Sequence, residues 1–142
     1  MDWETRRNQD MIIVDTSVWI DFLRGENSSE QRILHGLIES DEEIAITGII
    51  LAEILQGIKD DKEFRTTRDY LLEYPIYEPK GTITYIDAAR IYGACRKKGK
   101  TVRSTVDCII AAICAENGFS VFHKDRDYDI IQECVGLKLF RV

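Results

Sequence analysis

The sequence predicts an α/β fold, a parallel sheet with helices on both faces. Three observations carry this reading. Strand-length runs rich in apolar residues occur at Met11–Val14, Glu43–Ile46 and Phe119–His123. They are nearly continuous rather than alternating, as in strands covered on both faces. Segments with helical spacing of apolar residues lie between them, in the order that parallel strands joined by crossover helices require.

Met11–Val14 ends at Asp15 and reads as a buried strand. Thr16–Arg24, with Val18, Trp19, Phe22 and Leu23, reads as an amphipathic helix closed by Gly25. Ser28 or Ser29 caps a second helix through Ile33, Leu34, Leu37 and Ile38. After the Glu43–Ile46 strand, Thr47 caps a helix from Ile49 to Ile58 that is apolar nearly all round, the pattern of a buried helix. Asp60–Tyr74 is a more polar helix, and Pro75 and Pro79 bracket a short extended segment. Thr82 or Thr84 opens a long helix to about Lys98, followed by Gly99, and Ser104 opens a strongly apolar helix through Ala115. The Phe119–His123 strand, a short helix Asp125–Cys134 and a last strand Leu137–Phe140 complete the chain.

The 142 residues suit one domain, expected over residues 11–142 behind a polar extension at residues 1–10, with Met11 as an alternative start. Such a chain buries roughly 70% of its unfolded surface and needs no covalent staple to fold. Acids outnumber bases 25 to 19, for a net charge of -6, which is not the overall balance of a phosphate binder. Cys95, Cys108, Cys114 and Cys134 form no C-x-x-C pair and read as reduced residues of a cytoplasmic protein. No apolar run approaches a membrane span, and the polar start is no secretory signal.

Four acids stand where this fold would gather them. Open α/β sheets build their sites outside the carboxyl ends of the strands. Asp15 ends the first strand and Asp125 lies just beyond the Phe119–His123 strand, so both are expected at one crevice. Asp15 also reads as the N-cap of the helix it precedes, and Thr16 and Ser17 put two hydroxyls beside it. Glu53 sits among Ile49, Ile50, Leu51, Ala52, Ile54 and Leu55, where a buried carboxylate must be protonated, metal-bound or paired with an arginine or lysine, unless it occupies a narrow exposed stripe. Asp107 follows Ser104 by three residues, a spacing that resembles a capping box and is compatible with a cleft position. Asp125 and Asp127 read either as N-cap and solvated loop charge or as further ligands. Crowded carboxylates repel one another, a divalent cation removes that repulsion, and an all-oxygen set suits Mg²⁺ or Mn²⁺.

The stretches I-I-V-D-T-S-V-W-I-D-F, T-G-I-I-L-A-E-I-L-Q-G, S-T-V-D-C-I-I-A-A and F-H-K-D-R-D-Y, in that order over residues 11–142, resemble the PIN domain, and within it the VapC toxins of type II toxin–antitoxin pairs. The resemblance implies a three-layer α/β/α sandwich with a central parallel sheet and a Mg²⁺-dependent endoribonuclease, with Mn²⁺ as a substitute. It places the catalytic and metal-holding acids at Asp15, Glu53, Asp107 and Asp125, leaves Asp127 as an alternative for the fourth, and sets Ser17 and Thr16 beside the first. It further implies an RNA substrate, a cognate antitoxin and a homodimer. Arg96, Lys97, Lys98, Lys100 and Arg103 ahead of Asp107, with Lys124 and Arg126 flanking Asp125, are candidates to grip an RNA backbone. They read equally as solvated charge at helix ends. Two other functions compete: another metal-dependent phosphoesterase, and a non-catalytic RNA-binding or regulatory module of the same fold. Asp15-Thr16-Ser17 lacks the second acid and the glycine of D-x-D-G phosphatases, which weighs against the first.

Overall fold

A computed structural model describes residues 11–140, and the extension expected at residues 1–10 lies outside the described residues. Among these, the elements in chain order are β1 (Ile12–Val14), α1 (Thr16–Arg24), α2 (Ser29–Glu39), β2 (Ile44–Thr47), α3 (Gly48–Gln56), α4 (Asp61–Leu71), β3 (Ile76–Tyr77), α5 (Thr82–Lys97), α6 (Thr105–Asn117), β4 (Ser120–Phe122) and α7 (Arg126–Val135). The strands form one parallel sheet in the order β3-β2-β1-β4. Ile13 faces Ala45 on one side and Val121 on the other. Helices cover both faces, α1 to α4 packing among themselves and α5 to α7 doing the same.

That strand order follows from the connections. From β1 the chain steps to β2 and then β3, and it returns past β1 to lay down β4. The step direction reverses at β1, and right-handed crossovers then place α5 and α6 on the opposite face from α1 to α4. The β1–β4 junction is therefore the switch point where an open sheet leaves a crevice. β1, in the interior of the sheet, is buried throughout, with Ile13 and Val14 fully inaccessible.

Local chemistry sets the helix starts. Ser28 accepts from the Gln31 N–H at 3.0 Å, Thr47 from Ile50 at 3.2 Å and Asp60 from Glu63 at 2.8 Å. Each bond satisfies an N–H that the first turn leaves free. Gly25 closes α1 in the left-handed region at φ 68°, where a side chain would be strained. Pro75 lies just ahead of β3, which is an edge strand, the position in a sheet that tolerates proline.

The structure departs from the sequence reading in two elements. The expected strand Leu137–Phe140 is a single bridge, Leu139 beside Val121, because only this short stretch after the left-handed Gly136 aligns with β4. Its backbone still bonds the edge of β4, from Val121 N–H to Lys138 O and from Phe140 N–H to Val121 O. The second departure is α3, which buries only the stripe Ile50 and Ile54, while Ala52 is exposed and Glu53 half-buried. Apolar composition on every face does not by itself bring a covering element, and among the described residues α3 packs chiefly against α1, α4 and β2. The four thiols are free, with Cys95, Cys108 and Cys114 buried. Among the described residues no helix is long and apolar enough to cross a membrane.

Candidate metal centre

Three elements deliver acids to the β1–β4 crevice. Asp15 follows β1 directly, and its N–H donates to Phe122 O at 2.9 Å, which locks the end of β1 to the end of β4. Ser104 caps α6 by accepting from the Asp107 N–H at 3.4 Å, so Asp107 stands on the first turn. Asp125 caps α7 by accepting from the Asp127 N–H at 3.0 Å. The capping readings of Asp107 and Asp125 therefore coexist with cleft positions. Asp15 does stand at the N-cap position of α1, but its side chain makes no cap bond there.

Asp107, Asp125 and Asp127 each present a carboxylate oxygen within 4.8 Å of the others. Asp107 and Asp127 are buried and Asp125 partly so. Asp15, 6% exposed, adjoins them electrostatically. Burial pushes the Asp107 carboxyl up to about 8, and the neighbouring charges of Asp15, Asp125 and Asp127 add to the rise. Burial likewise raises Asp15, with Asp125 contributing, against the lowering effect of donated bonds from Tyr128, the Thr16 backbone and Ser17.

The partners of each acid differ. Asp15 takes the Tyr128 hydroxyl at Oδ1 (2.9 Å) and the Ser17 hydroxyl at Oδ2 (3.4 Å). Asp127 takes the Arg103 N–H at Oδ2 (3.1 Å), with the Arg103 guanidinium 3.8 Å from Oδ1, and so ties the loop before α6 to α7. Glu53 lies outside the tight group of three and is joined to the end of β1 through Thr16, whose hydroxyl donates to Oε1 at 2.8 Å. Asp125 and Asp127, alternatives in the sequence reading, are thus both present in the cluster.

The candidate RNA-contacting cations are unequally placed. Lys100, Arg103 and Arg126 line a cleft of about 470 Å³ that includes Asp127. Lys100 also pairs with Glu133 at 3.1 Å, and Lys98 donates to Cys134 O. Arg96 lies over the Tyr92 ring at 5.8 Å, and Lys97 is exposed. Lys124 is held by Asp21 of α1 at 2.6 Å, a partner that sequence spacing did not indicate. Tyr128 was likewise not singled out. The available signal was a tyrosine three residues beyond Asp125, on the first turn of the helix that Asp125 caps.

The donor set suits a hard divalent cation. It consists of carboxylates alone, and Asp107 Oδ2 is buried without a hydrogen-bond partner among the described residues. Leaving such an oxygen bare is costly, and a cation would satisfy it while cancelling the repulsion around it.

Comparison with known proteins gives the family and the fold. A family model described as PIN domain matches residues 12–133. A relative, VapC ribonuclease Mb1587 of Mycobacterium bovis, is 35% identical over 129 residues, which cover 90% of this chain and 96% of the relative. Among solved structures, VapBC2 from Rickettsia felis, bound to a DNA fragment from their promoter, superposes with a TM-score of 0.71 at 17% identity, over 92% of this chain and 97% of the other. A toxin–antitoxin complex from Klebsiella pneumoniae gives a TM-score of 0.58 at 21% identity, over 81% and 87%.

Proposed function

The chain belongs to the PIN domain family, and on that footing we propose that it is a Mg²⁺-dependent endoribonuclease, the toxin of a toxin–antitoxin pair. The observation that carries the chemistry is the close group of Asp107, Asp125 and Asp127, with an unpartnered buried oxygen on Asp107. The ribonuclease name of the relative supports RNA as the substrate. The toxin–antitoxin neighbour supports a cognate antitoxin as partner, and a homodimer and a cytoplasmic setting complete the proposal.

Asp107, Asp125 and Asp127 hold the cation, with Asp15 beside them and Glu53 at the rim through Thr16. Bound there, Mg²⁺, or Mn²⁺ in its place, supplies charge to polarise a phosphodiester and to acidify water. Asp107 or Asp125, the latter the least buried of the three, orients the attacking water. Arg126, Arg103 and Lys100 bind flanking phosphates along the cleft, a local positive surface on an acidic chain. The domain spans residues 11–142, and Ser17 steadies Asp15.

The test is cleavage of a mixed RNA pool by the purified chain, beside a simple phosphomonoester. Mg²⁺-dependent RNA cleavage that EDTA abolishes and Mn²⁺ restores is expected. Cleavage persisting in EDTA, or hydrolysis of the phosphomonoester alone, overturns the reading.

A further inference from the structure

Tyr128 has no assigned part in the chemistry, yet it is fully buried against the acids. It lies on the first turn of α7, one residue beyond Asp127 and three beyond Asp125. Its ring packs against that of His123 with centroids 5.1 Å apart. Its hydroxyl donates to Asp15 Oδ1 at 2.9 Å, joining positions 113 residues apart in the chain. Phenylalanine would meet the packing requirement as well. The hydroxyl is what differs, and a buried hydroxyl is tolerated only where it is bonded.

We propose that Tyr128 is a positioning residue for the metal centre: its hydroxyl sets the orientation of the Asp15 carboxylate and ties α7 to the end of β1, so that acids from separate elements stand ready for one cation. This rests on the metal-nuclease reading above. The bond has two physical effects. First, the 2.9 Å Tyr128 bond at Oδ1 is shorter than the 3.4 Å contact from Ser17 at Oδ2, and together with the Thr16 backbone N–H it sets how the carboxylate plane lies. Second, Asp15, Asp107, Asp125 and Asp127 repel one another across the crevice, and α7 carries two of them. A donated bond from α7 to β1 opposes that separation before any cation arrives. Groups that orient ligands in this way commonly matter to metal affinity by roughly 10- to 100-fold.

The experiment is a calorimetric titration of Mn²⁺ into the full chain, comparing the unaltered protein with Tyr128→Phe and Tyr74→Phe. Tyr74→Phe removes a phenol bonded to the Tyr70 hydroxyl at 2.8 Å, away from the acids, and controls for the loss of any such bond. Tyr128→Phe is expected to weaken Mn²⁺ binding roughly tenfold. It should raise the Mg²⁺ concentration for half-maximal RNA cleavage by the same factor and leave KM for RNA unchanged. Tyr74→Phe should bind Mn²⁺ as the unaltered chain does. Unchanged Mn²⁺ affinity in Tyr128→Phe overturns the role of Tyr128 and leaves the nuclease reading standing. An unaltered chain that neither binds Mn²⁺ nor cleaves RNA overturns both. If Tyr128→Phe does not fold, 3-fluorotyrosine at position 128 takes its place. Its ¹⁹F resonance is expected to move on Mg²⁺ addition, and a resonance that stays still at saturating Mg²⁺ rejects the proposal.

Discussion

The hydroxyl of Thr16, first residue of α1, donates to Glu53 Oε1 in the middle of α3 at 2.8 Å. This bond connects the end of β1 to a proposed acid that, like Asp15, stands outside the tight group. Thr16→Val removes the donor and keeps the shape. It is expected to cost about 1 kcal/mol of stability and to lower kcat/KM for RNA by an order of magnitude, while Thr16→Ser retains both. Urea unfolding and initial cleavage rates measure the two effects. A fully active Thr16→Val would detach Glu53 from catalysis.

Asp107 makes the cation-free protein sensitive to pH. Its carboxyl rises from an ordinary 3.8 to about 8 on folding, chiefly through burial. A group that binds its proton more tightly when folded contributes its full stabilisation below about pH 4, and that contribution is lost as pH climbs towards 8. In EDTA, Asp107→Asn is therefore expected to be more stable than the unaltered chain, by a margin that widens across this range. Mg²⁺ should close the margin by stabilising only the unaltered protein, and Asp107→Asn should not cleave RNA. Thermal melts at pH 5 and pH 8, with and without Mg²⁺, measure the margin. A margin independent of pH would mean that Asp107 titrates normally.

Lys124 and Arg126 flank Asp125 but face different surroundings. Lys124 is neutralised by Asp21 at 2.6 Å, whereas Arg126 is exposed on the 470 Å³ cleft. Arg126→Ala is expected to weaken RNA binding and to reduce the slope of log affinity against log salt by about one. Lys124→Ala should change that slope less. Binding of a non-cleavable RNA at several salt concentrations separates them, and a larger change for Lys124 would reverse the assignment.

Gly48 opens α3 where a Cβ would collide with the Glu78 carboxylate. That carboxylate lies at the positive end of the helix dipole, a contact worth about 0.3–1 kcal/mol. The end of a flexible side chain can swing away, so Gly48→Ala should cost no more than this. In Gly48→Ala, the further change Glu78→Ala should cost almost nothing. Chemical denaturation of the single and double variants checks the coupling, and additive losses would show that the two positions act independently.

Much of the fold was legible because it is written locally. Strand β1, helix α1 and the caps at Ser28, Thr47 and Ser104 depend on apolar spacing and on side chains bonding their own first turn. The gathering of Asp15 and Asp125 followed from one topological rule, that a reversal of strand order opens a crevice. The exposure of α3 at Ala52 and Glu53 was legible only as an alternative, a narrow stripe marked by the one acid, because an otherwise apolar helix reads as buried whatever lies beside it.

By itself the sequence determined the strand and helix elements, the residue types able to hold a cation and the family resemblance. Only the tertiary structure decided which acids crowd together, that Asp127 stands among them, that Asp21 takes Lys124 and that Tyr128 reaches Asp15. Hydrogen bonds within a turn are set by neighbours in the chain. Contacts across 103 or 113 residues depend on strand order and register, which emerge only when the whole core packs.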